Sequence, residues 1–326
     1  MMANKCTIIK YHYVRDLKNS RFNEIKGLDV SLFKEQVDYL LKHYNIITME
    51  QLIDAIDHRT ELPAKSALLT FDDGYIDHFH SVFPVLDEKG IQGSFYASVD
   101  VLREHTVLDV NKIHFILAST PDKKALAQDI FRQLDLYREE YQLEENEYYF
   151  NKLTLQKKRY DTLEAAFIKK ILQVGVPENV RKNIINTLFP RCVNAEETSF
   201  SKELYMNIEH IKCLQRHGMH IGSHGYAHYW LNSLSLEAQE KDIKLSIEFL
   251  KEIRVDSRYY TMCYPHGKYN KDTTDILKRN EFKVGLSVET DVADIDIHHP
   301  LELPRLDTND IPKNSQETPN QWYEQA

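Results

Sequence analysis

Short apolar runs recur along the chain at Cys6–Tyr13, Ile46–Thr48, Ser66–Phe71, Gly93–Val99, His220–Ser223, Tyr259–Tyr264 and Val284–Ser287. Runs of this length, bounded by turn-forming residues, predict strands. Most are followed by a stretch in which apolar positions return with helical spacing: Leu32–Tyr44, Met49–Ile56, Val82–Lys89, Leu236–Ile253 and Asp272–Arg279. Ser235 is placed to cap the fourth of these helices, with Glu237 in its first turn. Strand followed by helix, repeated about seven times, predicts an α/β fold with a parallel, closed or nearly closed barrel. Its active site is then expected in the loops at the C-terminal strand ends.

The alternation breaks between about His105 and His217, where charged helical patterns replace it at Lys123–Tyr141, Leu155–Val174 and Pro177–Leu188. The expected organisation is therefore a barrel from residues 1–104 and 208–310, a helical insertion over 105–207, and a loose polar tail over 311–326. The insertion either shapes access to the site or serves as a scaffold or oligomerisation element, and the pattern leaves both readings open. Tyrosines 137, 141, 148 and 149 within it are expected to pack its own core.

Composition narrows the class. No run approaches the ~18 to 20 apolar residues of a membrane-spanning helix, and the segment Met-Met-Ala-Asn-Lys runs straight into a strand pattern, so we expect a cytoplasmic protein. The 41 basic and 50 acidic side chains give a net charge of −9 without a basic cluster, which argues against nucleic acid or an anionic membrane as partner. The four cysteines are scattered and suggest neither a disulfide framework nor a thiolate metal site.

Four segments carry candidate chemistry. Leu68–Tyr75 ends an apolar strand in Asp72, Asp73 and Gly74. Adjacent acids can divide labour, one ligating a metal and the other acting as base, although the same tripeptide also makes an ordinary solvated turn. Ile221–His228 places His224 and His228 four residues apart after a short strand; if the following turn is already helical, both imidazoles face one cation. Met262–Tyr269 ends a strand in a Pro-His-Gly turn that can present a backbone N–H to a developing oxyanion. Leu303–Asp307 carries Arg305, either a surface residue or a partner that keeps a catalytic carboxylate ionised.

Taken in order, these segments resemble the polysaccharide deacetylases of the nodulation-protein-B homology group, carbohydrate esterase family four. Thr70–Tyr75 resembles the family's first motif, Ser223–His228 its second, Tyr264-Pro265-His266-Gly267 a variant of its third, and Leu303-Pro304-Arg305 a late-strand motif. Tyr11–Asp16, Phe33 to Leu40 and Ile47 to Leu52 are similar to the stretch that precedes the first motif. The resemblance implies a distorted (β/α)7 TIM-like barrel that removes an acetyl group from an N-acetylated sugar. It implies a divalent metal, with zinc the first choice, on Asp73, His224 and His228, and Asp72 as the base that activates a water. The backbone N–H of His266 would then face the oxyanion.

The sequence departs from the family in three places. Gly225 stands where a threonine or serine often follows the first histidine, and no arginine precedes the third motif, leaving Arg305 to substitute. The family's late Leu-x-x-His motif, which supplies the general acid, is not recognisable; His12 at the end of the first strand is the leading candidate, with His298 and His299 as alternatives. Other readings are a metal-dependent hydrolase of a small cyclic amide or ureide, and a carbohydrate-binding barrel without catalysis. A non-heme iron oxygenase is disfavoured because its usual His-x-Asp pair is missing. The particular sugar and the oligomeric state are not set by these features.

Overall fold

The computed structural model describes residues 4–155 and 162–326. Parallel strands β1 (Lys5–Tyr11), β2 (Ser66–Phe71), β3 (Gly93–Ala97), β4 (His220–Ser223), β5 (Thr261–Cys263) and β6 (Val284–Leu286) pair in that order. The last strand, β7 (Leu306–Asp307), pairs in parallel with the free edge of β1 at Ile9 and Lys10. Three residues earlier, Leu303 bridges β6 at Leu286 and exchanges hydrogen bonds with Gly285 and Ser287. One short stretch thus touches both edges of the sheet, and the ring of parallel pairings closes. Strands β2 and β3 are buried throughout, as expected for a parallel sheet covered by helices.

The helices that follow the strands are α1 (Val30–His43), α2 (Met49–His58), α3 (Phe83–Lys89), α4 (Leu236–Glu252) and α5 (Lys271–Arg279), within one or two residues of the expected spans. Their ends obey local chemistry. Thr48 and Gln51 form a reciprocal capping box on α2, and Ser235 accepts from Ala238 N at the start of α4. The Ile46–Thr48 strand pattern shortens to Asn45–Ile46, because the next residues enter the cap of α2.

The chain divides into two compact units, each described by itself. The first comprises the chain up to Asp16, Gly27–His105 and Lys202–Ala326 and contains the barrel. Its C-terminal residues are not loose. Asn320 caps a short helix over Gln321–Gln325, and Lys65 Nζ donates to the carbonyls of Tyr323 and Ala326. The second unit comprises Leu17–Lys26 and Thr106–Ser201. It is helical, with Asp109–Ser119, Lys123–Tyr141 and Glu178–Val193 around buried Phe115, Ile130, Leu134, Ile184 and Leu188. Phe22 joins it by edge-on contacts with Phe115 and Phe200. Of the expected Leu155–Val174 helix, residues 163–170 are helical, and residues 156–161 lie outside the described residues. Of the four tyrosines expected to fill this unit's core, Tyr149 is buried and Tyr148 is exposed.

Candidate functional site

Strand β2 delivers Asp72 and Asp73 at its C-terminal end, where both carboxylates are buried. Asp73 and Gly74 adopt left-handed backbone, φ 72° at each. A side chain at Gly74 would meet Ala97 Cβ at 2.6 Å, so the turn admits only glycine there. The reversal aims the neighbouring acids at different partners.

Asp73 Oδ1 lies 3.2 Å from His224 Nε2 and 3.2 Å from His228 Nε2. Its other oxygen accepts from Tyr75 Oη at 2.5 Å, and Tyr75 is stacked on Tyr13 with ring centroids 4.1 Å apart. Burial alone would push the Asp73 carboxyl upward, but hydrogen bonds from the two histidines hold it well below the usual carboxylate range. His224 Nδ1 lies 2.7 Å from the Cys263 carbonyl, which fixes that nitrogen as a donor and turns Nε2 toward Asp73. Among the described residues, Asp73, His224 and His228 form a group whose ligand atoms all lie within 4.8 Å of one another. Two imidazoles and an ionised carboxylate converging on one point, with His224 Nδ1 and Asp73 Oδ2 already paired, fit a divalent cation.

The two histidines do not converge through a helix. Residues 224–230 form an irregular loop with left-handed backbone at Gly225 (φ 71°) and His228 (φ 55°). Asp242, on α4, clamps it: its carboxylate accepts from Tyr226 N at 2.9 Å and Ala227 N at 3.0 Å. Ser98 Oγ donates to the His224 carbonyl, and Asp100 N to that of Tyr226. At Gly225 a side chain would approach Asp242 Oδ2 to 2.9 Å, and the Ser223 hydroxyl already accepts from Gly225 N. The hydroxyl that the sequence lacks at position 225 is therefore matched by a different anchoring scheme.

Asp72 faces Arg305. Nη1 and Nη2 each lie 2.9 Å from a separate carboxylate oxygen, while Nε donates to the Ser287 carbonyl and Nη1 also reaches Thr70 Oγ1. Burial pushes the Asp72 carboxyl upward, and the charge and hydrogen bonds of Arg305 outweigh it and hold the group well below its ordinary value. Asp72 is therefore ionised at neutral pH. His12 lies just past β1, with Nε2 3.9 Å from Asp72 Oδ2 and its side chain 46% exposed. His266 sits in the left-handed turn after β5 (φ 55°), its ring 4.5 Å from that of His228.

His298 and His299 are elsewhere. The segment containing Ala293 and Asp294 pairs with Lys5 and Cys6 at the start of β1, whereas His12 and Asp72 follow the far ends of their strands. Six strand residues separate those ends by about 20 Å. His298 Nδ1 accepts from Asp294 N, and His299 Nδ1 from Leu301 N, so both brace their own loop.

Three contributors are not among the sequence candidates. Asp242 holds the loop between His224 and His228, Tyr75 donates to Asp73, and His78 Nε2 lies 2.8 Å from the His12 carbonyl. Burial lowers His78 to about 4, which keeps it neutral and makes Nε2–H the donor that fixes the His12 backbone. Tyr75 adjoins the acidic turn and was legible in principle; Asp242 reads as one more charge on an amphipathic helix.

Residues 177–285 match the family model described as polysaccharide deacetylase. The match spans 109 of the 326 residues. The match includes His224, His228 and the His266 turn, whereas Asp72, Asp73 and Arg305 lie outside it and are brought to the site by the barrel. No curated protein matches the sequence significantly. Among solved structures, the chain is similar to the Streptococcus pyogenes deacetylase PplD in complex with acetate, with a TM-score of 0.57 and 15% identity over 94% of this chain and 93% of that one. It is also similar to IcaB from Ammonifex degensii, TM-score 0.52 and 17% identity over 93% and 91% of the two chains. The BpsB deacetylase domain from Bordetella bronchiseptica gives 0.54 and 14% over 93% and 96%. These likenesses show the (β/α)7 barrel as the fold.

Proposed function

We propose that this chain is a metal-dependent hydrolase that removes the acetyl group from an N-acetylated sugar, with zinc as the ion. The observation that carries the reading is an ionised carboxylate, Asp72, next to three convergent ligands, Asp73, His224 and His228. A bound divalent cation would supply Lewis acidity, lowering the pKa of water and polarising the acetamide carbonyl.

The chain's own residues divide the remaining work. Asp72 takes a proton from the attacking water, and Arg305 keeps it in the charged form that a base requires. The water oxygen adds to the carbonyl carbon, and the N–H of His266 stabilises the charge that develops on the carbonyl oxygen. When the carbon–nitrogen bond breaks, the amine must receive a proton. His12, beside Asp72 and partly open to solvent, donates it in this reading. The products are acetate and the free amino sugar.

Elemental analysis of the purified protein, combined with acetate release from a panel of N-acetylated sugars with and without chelator, tests this. Chelator-sensitive acetate release supports it. Stoichiometric metal with no acetate from any sugar overturns the sugar assignment in favour of a small cyclic amide, and absence of metal overturns metal dependence.

A further inference from the structure

Among the described residues no hydrogen bond holds the His12 imidazole, which stands 3.9 Å from Asp72 Oδ2 and half open to solvent. Its place is set by the backbone beneath it. The residues that follow the acidic turn fasten that backbone at three points. Tyr75 stacks on Tyr13 with centroids 4.1 Å apart, Asp77 accepts from Arg15 Nε at 2.8 Å, and His78 Nε2 lies 2.8 Å from the His12 carbonyl itself. His78 is fully buried and packs edge-on against Phe71 and Tyr75, with centroids 5.5 and 5.6 Å away. Its Nδ1 has no hydrogen-bond partner among the described residues. A buried acceptor left unpaired costs stability, so packing alone would favour an apolar ring at this position. What the imidazole adds over such a ring is one donor, aimed at the backbone of His12.

We propose that His78 is a positioning residue for proton delivery: its Nε2–H, by holding the His12 carbonyl, keeps the His12 imidazole where it can protonate the leaving amine. This rests on the N-deacetylase reading, with His12 as its acid, and deepens it. When the carbon–nitrogen bond breaks, its electron pair stays on nitrogen and takes the proton from the His12 imidazolium. A displaced imidazole slows that step and leaves the attack of water, driven by Asp72, in place. An amide nitrogen cannot depart without the proton, whereas the phenolate of an aryl acetate leaves unprotonated. The two kinds of substrate therefore separate misplacement of the acid from general damage to the site.

The test compares His78→Phe, His78→Gln, His12→Ala and the His12→Ala, His78→Phe double variant on N-acetylglucosamine oligomers and on para-nitrophenyl acetate, with kcat and KM separated. His78→Phe keeps a buried ring and removes the donor, and His78→Gln keeps an amide N–H of similar reach. We expect His78→Phe to lower kcat on the oligomers by about 10- to 100-fold, with KM and metal content near those of the unaltered protein. Its loss on the aryl ester should be about tenfold smaller. His78→Gln should recover most of the difference. His12→Ala should show the same bias between substrates, and adding His78→Phe to it should cost nothing more. Equal losses on both substrates in His78→Phe, or a further loss in the double variant, would assign His78 to the fold alone and overturn the proposal. His12→Ala without any bias would sink the acid assignment on which the proposal stands. Magnetic resonance of isotope-labelled histidine in the chelated protein gives a reading apart from activity: His78 should be the neutral Nε2–H tautomer, and the Nδ1–H tautomer would overturn the proposal.

Discussion

Arg305 grips Asp72 with both terminal nitrogens, each 2.9 Å from a different carboxylate oxygen, and the arginine is only 1% exposed. The two residues adjoin strands on either side of β1: Asp72 immediately follows β2, and Arg305 immediately precedes β7. Closure of the barrel is therefore what assembles this ion pair.

Replacing Arg305 with Met leaves a buried carboxylate without its counter-charge, a change that costs roughly 3 to 5 kcal/mol. The folded-state pKa of Asp72 is depressed, so its contribution to stability is present above the unfolded-state value and lost as pH falls through the folded one. With Arg305 gone, burial raises the carboxyl against only the weaker pull of His12 and His224. The acid limb of the pH–rate profile should then move to higher pH, and thermal stability near neutral pH should drop. An unmoved acid limb would show that Arg305 does not set the ionisation of Asp72.

Asp72→Asn keeps the side chain's size and removes its basicity. Acetate release should fall by roughly 100- to 10,000-fold, while metal content measured after dialysis stays near that of the unaltered protein. His224→Ala and His228→Ala should instead lose metal. Comparable activity in Asp72→Asn would rule out its role as base.

Asp242→Ala removes both acceptors for Tyr226 N and Ala227 N and frees the loop between the histidine ligands. Supporting residues of this kind typically change metal affinity by roughly 10- to 100-fold. Competition with a chromophoric chelator should show that weakening, with Asp242→Asn intermediate because it keeps one acceptor oxygen. Unchanged affinity in Asp242→Ala would assign the carboxylate to fold stability alone.

At the opposite end of the barrel, Glu50 lies 3.3 Å from His220 Nδ1 and accepts from Gln92. Burial pushes its carboxyl up, but the hydrogen bond and charge of His220 and the Gln92 donor outweigh it and bring the group down to about 2. A depressed pKa gives stability that is present above the unfolded value, near 4.5, and lost as pH falls toward 2. Glu50→Gln should therefore be less stable than the unaltered protein near neutral pH, by about 1 kcal/mol after allowance for partial exposure. Chemical denaturation over that pH range should show the gap closing on acidification; a gap independent of pH would exclude this linkage.

The local code was legible. Helix spans, the Thr48 and Ser235 caps, and the strand ends bearing Asp72, His224 and His266 follow from periodicity and turn chemistry, which act over a few neighbouring residues. The order of the motifs pointed to their common chemistry as well. Where a reading depended on chain direction beyond one turn it diverged, as at His224 and His228, which meet through an irregular loop rather than on a helix face.

What the sequence determined by itself is the repertoire: parallel strands, amphipathic helices, and the residue types of a base and a two-histidine, one-carboxylate ligand set. Only the tertiary structure decided which of them meet. It set Arg305 on Asp72 across 233 residues, carried Asp242 beneath the ligand loop, and placed His12 near the base while sending His298 and His299 to the other end of the barrel. The reason is physical. Local propensity is fixed by neighbours a few residues apart, whereas these pairings follow from the register of strands joined only when the sheet closes on itself.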